Sequence, residues 1–196
     1  MVPDLFIIIS SDTVRSTGSK RIREITAGHE RLDVIARCFL NTLRAANRLA
    51  FYTTFILYLS HPKENKAIFI PISKDLSISS ELDALLFLVS CFKSEKDSVQ
   101  IRQISFGNLI RSISTNTVLF YLHPNGVSIN DFPKLISPTD SLIFVIGSQK
   151  DLTSNQERVL HKFGSTRLSL GDKKYLASHV ITVILYCLQM NLYKDI

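Results

Sequence analysis

The 196-residue chain holds only three cysteines, Cys38, Cys91 and Cys187, odd in number and far apart. Neither a disulfide framework nor a metal-ligand spacing can be drawn through them, which favours a reduced, cytoplasmic setting. A long hydrophobic run is also missing. The longest nearly apolar stretch, Tyr175–Met190, is too short for a bilayer and is broken by Ser178, His179, Thr182 and Gln189, so no membrane partner is expected. Leu5–Ile9 follows Asp4 without a basic flank and reads as a strand rather than a signal peptide. His29, His61, His123 and His161 lack ligand spacing, so no metal is expected. No repeat, low-complexity tract or linker is visible. With 45% hydrophobic and 20% charged residues the chain is globular rather than disordered, and residues 1–196 read as one domain.

What is present in excess is positive charge. The formal charge of +6 and pI near 9.3 favour an anionic partner, RNA first. The basic loop holding Arg15, Lys20, Arg21 and Arg23 is the leading candidate for phosphate contact, with Arg44 and Arg48 second, although a solvated charged loop explains the same residues.

Apolar periodicity predicts alternating elements. Strands are expected at Leu5–Ser10, Phe51–Leu59, Ala67–Ile72, Ile101–Ile104, Val118–Leu122, Leu142–Ile146 and Arg167–Leu170. Helices are expected at Glu30–Arg48, Ser80–Phe92, Phe106–Ile113, from Thr153-Ser-Asn-Gln156 (a capping-box spacing) to Lys162, and from Lys173 to the end. Ser60–Lys66 and His123-Pro-Asn-Gly126 read as turns, Asp12–Arg23 and Pro133–Pro138 as loops. This alternation predicts an α/β fold with a mainly parallel sheet flanked by helices.

Two strand tips end in glycine: Ile143-Phe-Val-Ile-Gly147 and Arg167-Leu-Ser-Leu-Gly171, the second leading into a helix. Glycine opens backbone conformations closed to other residues and permits close approach of a ligand, though ordinary strand-end turns look the same. The final helix is apolar on two sides. Ala177, Val180, Ile181, Ile184, Leu185 and Leu188 form one stripe, and Leu176, Val183 and Tyr186 a second. Such a helix is covered either by a deep core or by a second copy of the chain.

Taken in order, Gly28-His-Glu-Arg-Leu-Asp-Val-Ile-Ala-Arg-Cys38, Leu122-His-Pro-Asn-Gly126, Phe144-Val-Ile-Gly147, Leu168-Ser-Leu-Gly171 and Leu176-Ala-Ser-His179 resemble the archaeal tRNA pseudouridine-54 N1-methyltransferase family of the SPOUT superfamily. The resemblance is strong in the C-terminal third and around Arg31–Cys38, and weak between Ser60 and Val118. It implies a SPOUT fold with a C-terminal trefoil knot, a homodimer, S-adenosyl-L-methionine as cofactor and tRNA as partner. The implied activity is methylation of N1 of pseudouridine 54 in the T-loop. A SPOUT methyltransferase of ribosomal RNA and a non-catalytic RNA-binding paralogue are the alternatives.

The cofactor contacts it implies are Leu122, Gly147, Leu170, Gly171, Asp172, Lys173, Lys174, Tyr175 and Val180. Arg31, Asp33 and Arg37 are the implied catalytic segment. Its arginines would hold phosphate or base oxygens, and Asp33 would meet the flipped base and help remove its N1 proton. A surface i,i+4 ion pair between Asp33 and Arg37 is the plainer explanation. His179 is expected to be a structural hydrogen-bonding residue. The chain departs from the family pattern at Ser148-Gln149, where Asp-His is usual, at Val180, where cysteine is usual, and at Ser79-Ser80-Glu81, where Pro-Asp-Glu is usual.

Overall fold

The computed structural model describes residues 2–14, 31–61, 64–93 and 98–192. Among these, seven strands form one sheet: β1 (Asp4–Ser11), β2 (Tyr52–His61), β3 (Glu64–Pro71), β4 (Gln100–Gln103), β5 (Thr117–Ser128), β6 (Ser141–Gly147) and β7 (Thr166–Ser169). The helices are α1 (Leu32–Ala46), α2 (Glu81–Phe92), α3 (Phe106–Ile113), α4 (Ser154–Lys162) and α5 (Ala177–Leu192), with a 3₁₀ helix at Ile129–Leu135.

The sheet order is β4-β3-β2-β1-β6-β5-β7. Strands β2, β1, β6, β5 and β7 are parallel, and the antiparallel β3 and β4 close one edge. The α/β, mainly parallel expectation is met. Apolar runs mark the central strands because both faces are covered. In β1, Leu5, Ile7 and Ile9 face one helical layer and Ile8 faces the other, all with 0% exposure. The first layer is α1, α2, α5 and the 3₁₀ helix, and the second is α3 and α4. At the centre of the first, Phe144 stacks on Phe120 at 5.3 Å and meets Phe132 at 5.6 Å.

Four expectations need correction. Pairing of β2 with β3 continues through Ser60↔Asn65 and His61↔Glu64, so Ser60, His61 and Glu64–Lys66 of the expected turn are strand, and residues 62–63 lie outside the described residues. Backbone pairing does not require apolar side chains, and the polar hairpin end hid it from a hydrophobicity reading. The His123–Gly126 turn is an extrusion within β5, which resumes pairing with β7 at Val127. Residues Ile129–Leu135, Pro133 included, are 3₁₀ helix rather than loop. The last helix starts at Ala177, not Lys173, since residues 173–176 run as an exposed non-helical segment; residues 193–196 lie outside the described residues.

Replacing Phe144 with alanine is expected to cost about 3–5 kcal/mol, against about 0.5 kcal/mol or less for Tyr52→Ala on the surface. Urea unfolding measures both.

Candidate active site

Parallel strands present all their carboxyl ends at one edge, and crevices open there where successive crossovers leave to opposite faces. Here β1 leads to α1 on one face, and β6 leads to α4 on the other. The gap between β1 and β6 is closed, since Ser148 N–H donates to Ser10 O at 2.9 Å. The opening lies one strand along. Pairing of β5 with β6 ends at Tyr121↔Val145, so Leu122 and Ile146-Gly147 part above that pair.

On its other side β5 stays attached to β7. Leu122 and Val127 both sit opposite Leu168, and residues 123–126 are pushed out as a wide bulge. Three contacts shape it. Asn125 N–H donates to His123 Nδ1 at 3.0 Å. The Ser169 hydroxyl donates to Pro124 O at 2.7 Å and accepts from Gly171 N–H at 3.0 Å. A Cβ on Gly126 would lie 2.6 Å from the Leu168 backbone, so only glycine lets the two chains approach this closely.

Leu122, Gly147, Leu170 and Gly171 therefore gather at the carboxyl ends of three adjacent strands. Leu122 and Leu170 are half-buried against the core. Gly171 has φ 94° and open space where a Cβ would stand. Asp172, Lys173, Lys174 and Tyr175 follow in an exposed segment, with Tyr175 48% exposed. Val180 is buried in the core below α5's first turn. The two glycines work differently. Gly171 supplies a left-handed conformation, whereas Gly147 is not in that region; its Cβ would strike Lys150 O at 2.1 Å, so it serves a fold-back of residues 147–150.

That fold-back is braced. Gln156, 5% exposed, donates from Nε2 to Ser10 Oγ at 2.7 Å, and its Oε1 accepts from Thr153 N–H at 3.0 Å. The expected capping box of α4 is thus present and is tied to the end of β1. Lys150 Nζ also pairs with Asp12 at 2.8 Å, an exposed link worth at most about 1 kcal/mol. These residues were invisible to a motif search because the pairs lie 138 and 146 positions apart.

The Arg31, Asp33 and Arg37 segment forms one cluster. Arg31 stands at φ 42° before α1 and donates to Asp33 Oδ1 at 2.9 Å and Oδ2 at 3.0 Å. Arg37 donates to Oδ2 at 2.7 Å and keeps a buried, unpartnered Nε. Burial pushes the Asp33 carboxyl upward, but the Arg31 hydrogen bonds and the two guanidinium charges outweigh it and hold it below the usual carboxylate range. Because α1 ends just before β2 begins, at the amino edge of the sheet, a helix of 15 residues brings its first turn back toward the carboxyl edge.

Of the phosphate candidates, residues 15–23 lie outside the described residues, as does Gly28–Glu30. Arg44 donates to Ser79 O at 2.9 Å, so it holds the entrance to α2. The departure at Ser79-Ser80-Glu81 is absorbed there, since Ser80 caps α2 in a capping box with Asp83. His179 is exposed and its ring makes no hydrogen bond among the described residues, so the structural role expected of it finds no support there. A polar cluster was missed: Arg167 reaches the buried Tyr121 hydroxyl through Nε and His161 Nε2 at 2.8 Å. Burial pushes the Cys38 thiol up to about 12, so it is an inert core group. Among the described residues no His, Cys, Asp and Glu grouping could hold a metal, and no helix is long and apolar enough to cross a membrane.

Gly147→Ala is expected to destabilise by about 1–3 kcal/mol, because backbone must move. Gly107→Ala, whose Cβ would meet Val159 at an ordinary 3.8 Å in α3, is expected to stabilise by up to about 1 kcal/mol. Urea titrations of both variants make the comparison. The depressed Asp33 carboxyl contributes stability above its unfolded pKa of about 3.9 and loses it as pH falls through the still lower folded value. The gap between wild type and Asp33→Asn is therefore expected to be constant above about pH 5 and to shrink below about pH 4 in acid melts.

A family model described as "Putative SAM-dependent RNA methyltransferase" matches residues 4–191. A tRNA (pseudouridine(54)-N(1))-methyltransferase of Methanocella arvoryzae is 25% identical over 91% of this chain and 95% of its own. That of Methanocaldococcus jannaschii is 23% identical over 91% and 93%. Among solved structures, Archaeoglobus fulgidus Nep1 bound to S-adenosylhomocysteine superposes with TM-score 0.64 at 14% identity, covering 96% of this chain and 98% of that one. A ribosomal RNA small subunit methyltransferase E from Neisseria gonorrhoeae bound to S-adenosyl methionine gives TM-score 0.53 at 12% identity, covering 96% and 66%. The fold is shared with these proteins, and over nearly its whole length the chain belongs to the SAM-dependent RNA methyltransferase family.

Proposed function

We propose that the protein methylates N1 of pseudouridine 54 in the T-loop of tRNA, with S-adenosyl-L-methionine as donor. The observation that carries this is the run of archaeal relatives of that name, matched over about nine-tenths of the chain, on a fold whose strand ends assemble the expected cofactor residues.

The residues fit the cofactor. Half-buried Leu122 and Leu170 offer apolar surface for the faces of a purine, and the open side of Gly171 admits it to main-chain donors and acceptors along residues 170–175. Gly147 contributes its backbone from the opposite wall, and buried Val180 floors the site. Exposed Asp172, Lys173, Lys174 and Tyr175 form its rim. Once bound, the cofactor supplies an electrophilic methyl on a positively charged sulfur.

The Arg31, Asp33 and Arg37 cluster handles the RNA. Asp33, ionised and held by both guanidiniums, orients them before RNA arrives. RNA oxygens compete for those guanidiniums. Each bond the RNA takes frees an oxygen of Asp33 to accept from the N1–H of the flipped base. Pseudouridine carries that N1–H, whereas in uridine N1 is the glycosidic nitrogen, so substrate choice is set by chemistry as well as by shape. Residues 15–23 add positive charge for the phosphate backbone.

The assembly completing this reading is a homodimer with a C-terminal trefoil knot, working in the cytoplasm. Support comes from α5. Its Ala177, Ile181, Ile184, Leu185 and Leu188 face is buried, while Leu176, Tyr186 and Met190 are 50%, 59% and 48% exposed, an apolar stripe suited to a second copy. The 3₁₀ helix between β5 and β6 packs on α5, which places the C-terminal helix beside the chain segment that the knot would involve.

The test is methyl transfer to two tRNA transcripts, one carrying pseudouridine at position 54 and one uridine, read by nucleoside mass spectrometry. N1-methylpseudouridine is expected from the first alone. Arg37→Ala is expected to cut the rate by about 10²-fold or more. Absence of product from both transcripts, with cofactor bound, would favour the non-catalytic reading that Ser148-Gln149 suggests; product on ribosomal RNA instead would move the assignment there.

A further inference from the structure

We propose that the Ser169 hydroxyl is a positioning group for cofactor binding, locking the 123–126 extrusion of β5 to the Gly171 turn after β7 and so setting the relation of two segments lining the pocket. The inference rests on the methyl-donor reading above and adds a residue that touches neither donor nor RNA.

A hydroxyl has one proton to give. At Ser169, 7% exposed, that proton goes to Pro124 O at 2.7 Å, and a lone pair receives Gly171 N–H at 3.0 Å. One small side chain therefore satisfies a carbonyl from one loop and an amide from the other. The register runs Phe120↔Thr166, Tyr121↔Arg167 and Leu122↔Leu168, then skips to Val127↔Leu168. The four skipped residues are held laterally by the hydroxyl and by Gly126, which passes so close to the Leu168 backbone that an added Cβ would lie 2.6 Å from it.

The direction of the clamp matters. Gly171 has open space on its side-chain side, so its amide is drawn back toward Ser169 while the open side is left for a ligand. Without the hydroxyl, the Pro124 carbonyl and Gly171 amide must find other partners. The extrusion and the turn then move independently, and Leu122 and Leu170 lose a fixed spacing. The sheet beneath is secured by its own backbone pairing and by Phe120 and Phe144, so the damage falls on the pocket more than on the fold.

Calorimetry with S-adenosylhomocysteine tests this on the whole chain. Ser169→Ala is expected to bind about tenfold more weakly, the scale of two neutral hydrogen bonds. Ser169→Thr, which keeps the hydroxyl on a strand that suits β-branching, is expected to bind within about threefold of wild type. Ser165→Ala, removing a buried hydroxyl that has no hydrogen-bond partner among the described residues, is expected to leave affinity unchanged. In turnover, the KM for the methyl donor should rise more than kcat falls. Should the alanine variant fail to fold, Ser169→Cys, a weak donor of similar size, carries the same expectation. Wild-type affinity (within about twofold) in the alanine or cysteine variant overturns the proposal; so does an equal loss in Ser165→Ala and Ser169→Ala. If the wild type itself takes up no S-adenosylhomocysteine, the donor reading falls and the clamp with it, an outcome separable from a clamp failure on a binding-competent wild type.

Discussion

The structure depends on one divergence of backbone pairing. Strand β5 runs with β6 as far as Tyr121↔Val145, then leaves it while remaining paired to β7. The candidate cofactor residues on the strand ends take their places from that event. Leu122 stands at the fork, Gly147 on the strand left behind, and Leu170 and Gly171 beyond the strand that follows. Had β5 continued beside β6, the same residues would sit in a closed ladder with backbone groups spent on one another.

The surroundings stabilise the fork without using charge at its centre. The aromatic stack of Phe120, Phe132 and Phe144 fills the space beneath it, and Gln156 ties the β6 loop to β1 through a buried hydrogen bond. Charge is kept at the rim and on α1. There Asp33 gathers two arginines that would otherwise repel each other.

Much of the fold was legible. Central strands β1, β2 and β6 were read from uninterrupted β-branched and aromatic runs, because burial on both faces leaves no room for polar alternation. The capping box at Thr153 was read for a local reason, since four consecutive residues suffice to define it. Misreadings fell where local signal and long-range pairing disagree. His123-Pro-Asn-Gly126 has turn composition, and the chain does leave the ladder there, but only pairing with β7 brings it back into strand. Pro133 suggested loop, yet it lies inside the 3₁₀ helix Ile129–Leu135.

By itself the sequence determined the α/β class, the positions of two glycine-tipped strands, and the order of motifs that resembles one methyltransferase family. Those are properties of short windows, governed by hydrophobic period, backbone freedom and residue order. Tertiary structure alone decided which strand ends adjoin, why Gly147 and Gly171 are glycine for different reasons, and that Ser169 meets Pro124 from 45 residues away. Such contacts are fixed by register and by the three-dimensional path of the chain, and neither leaves a trace in local composition.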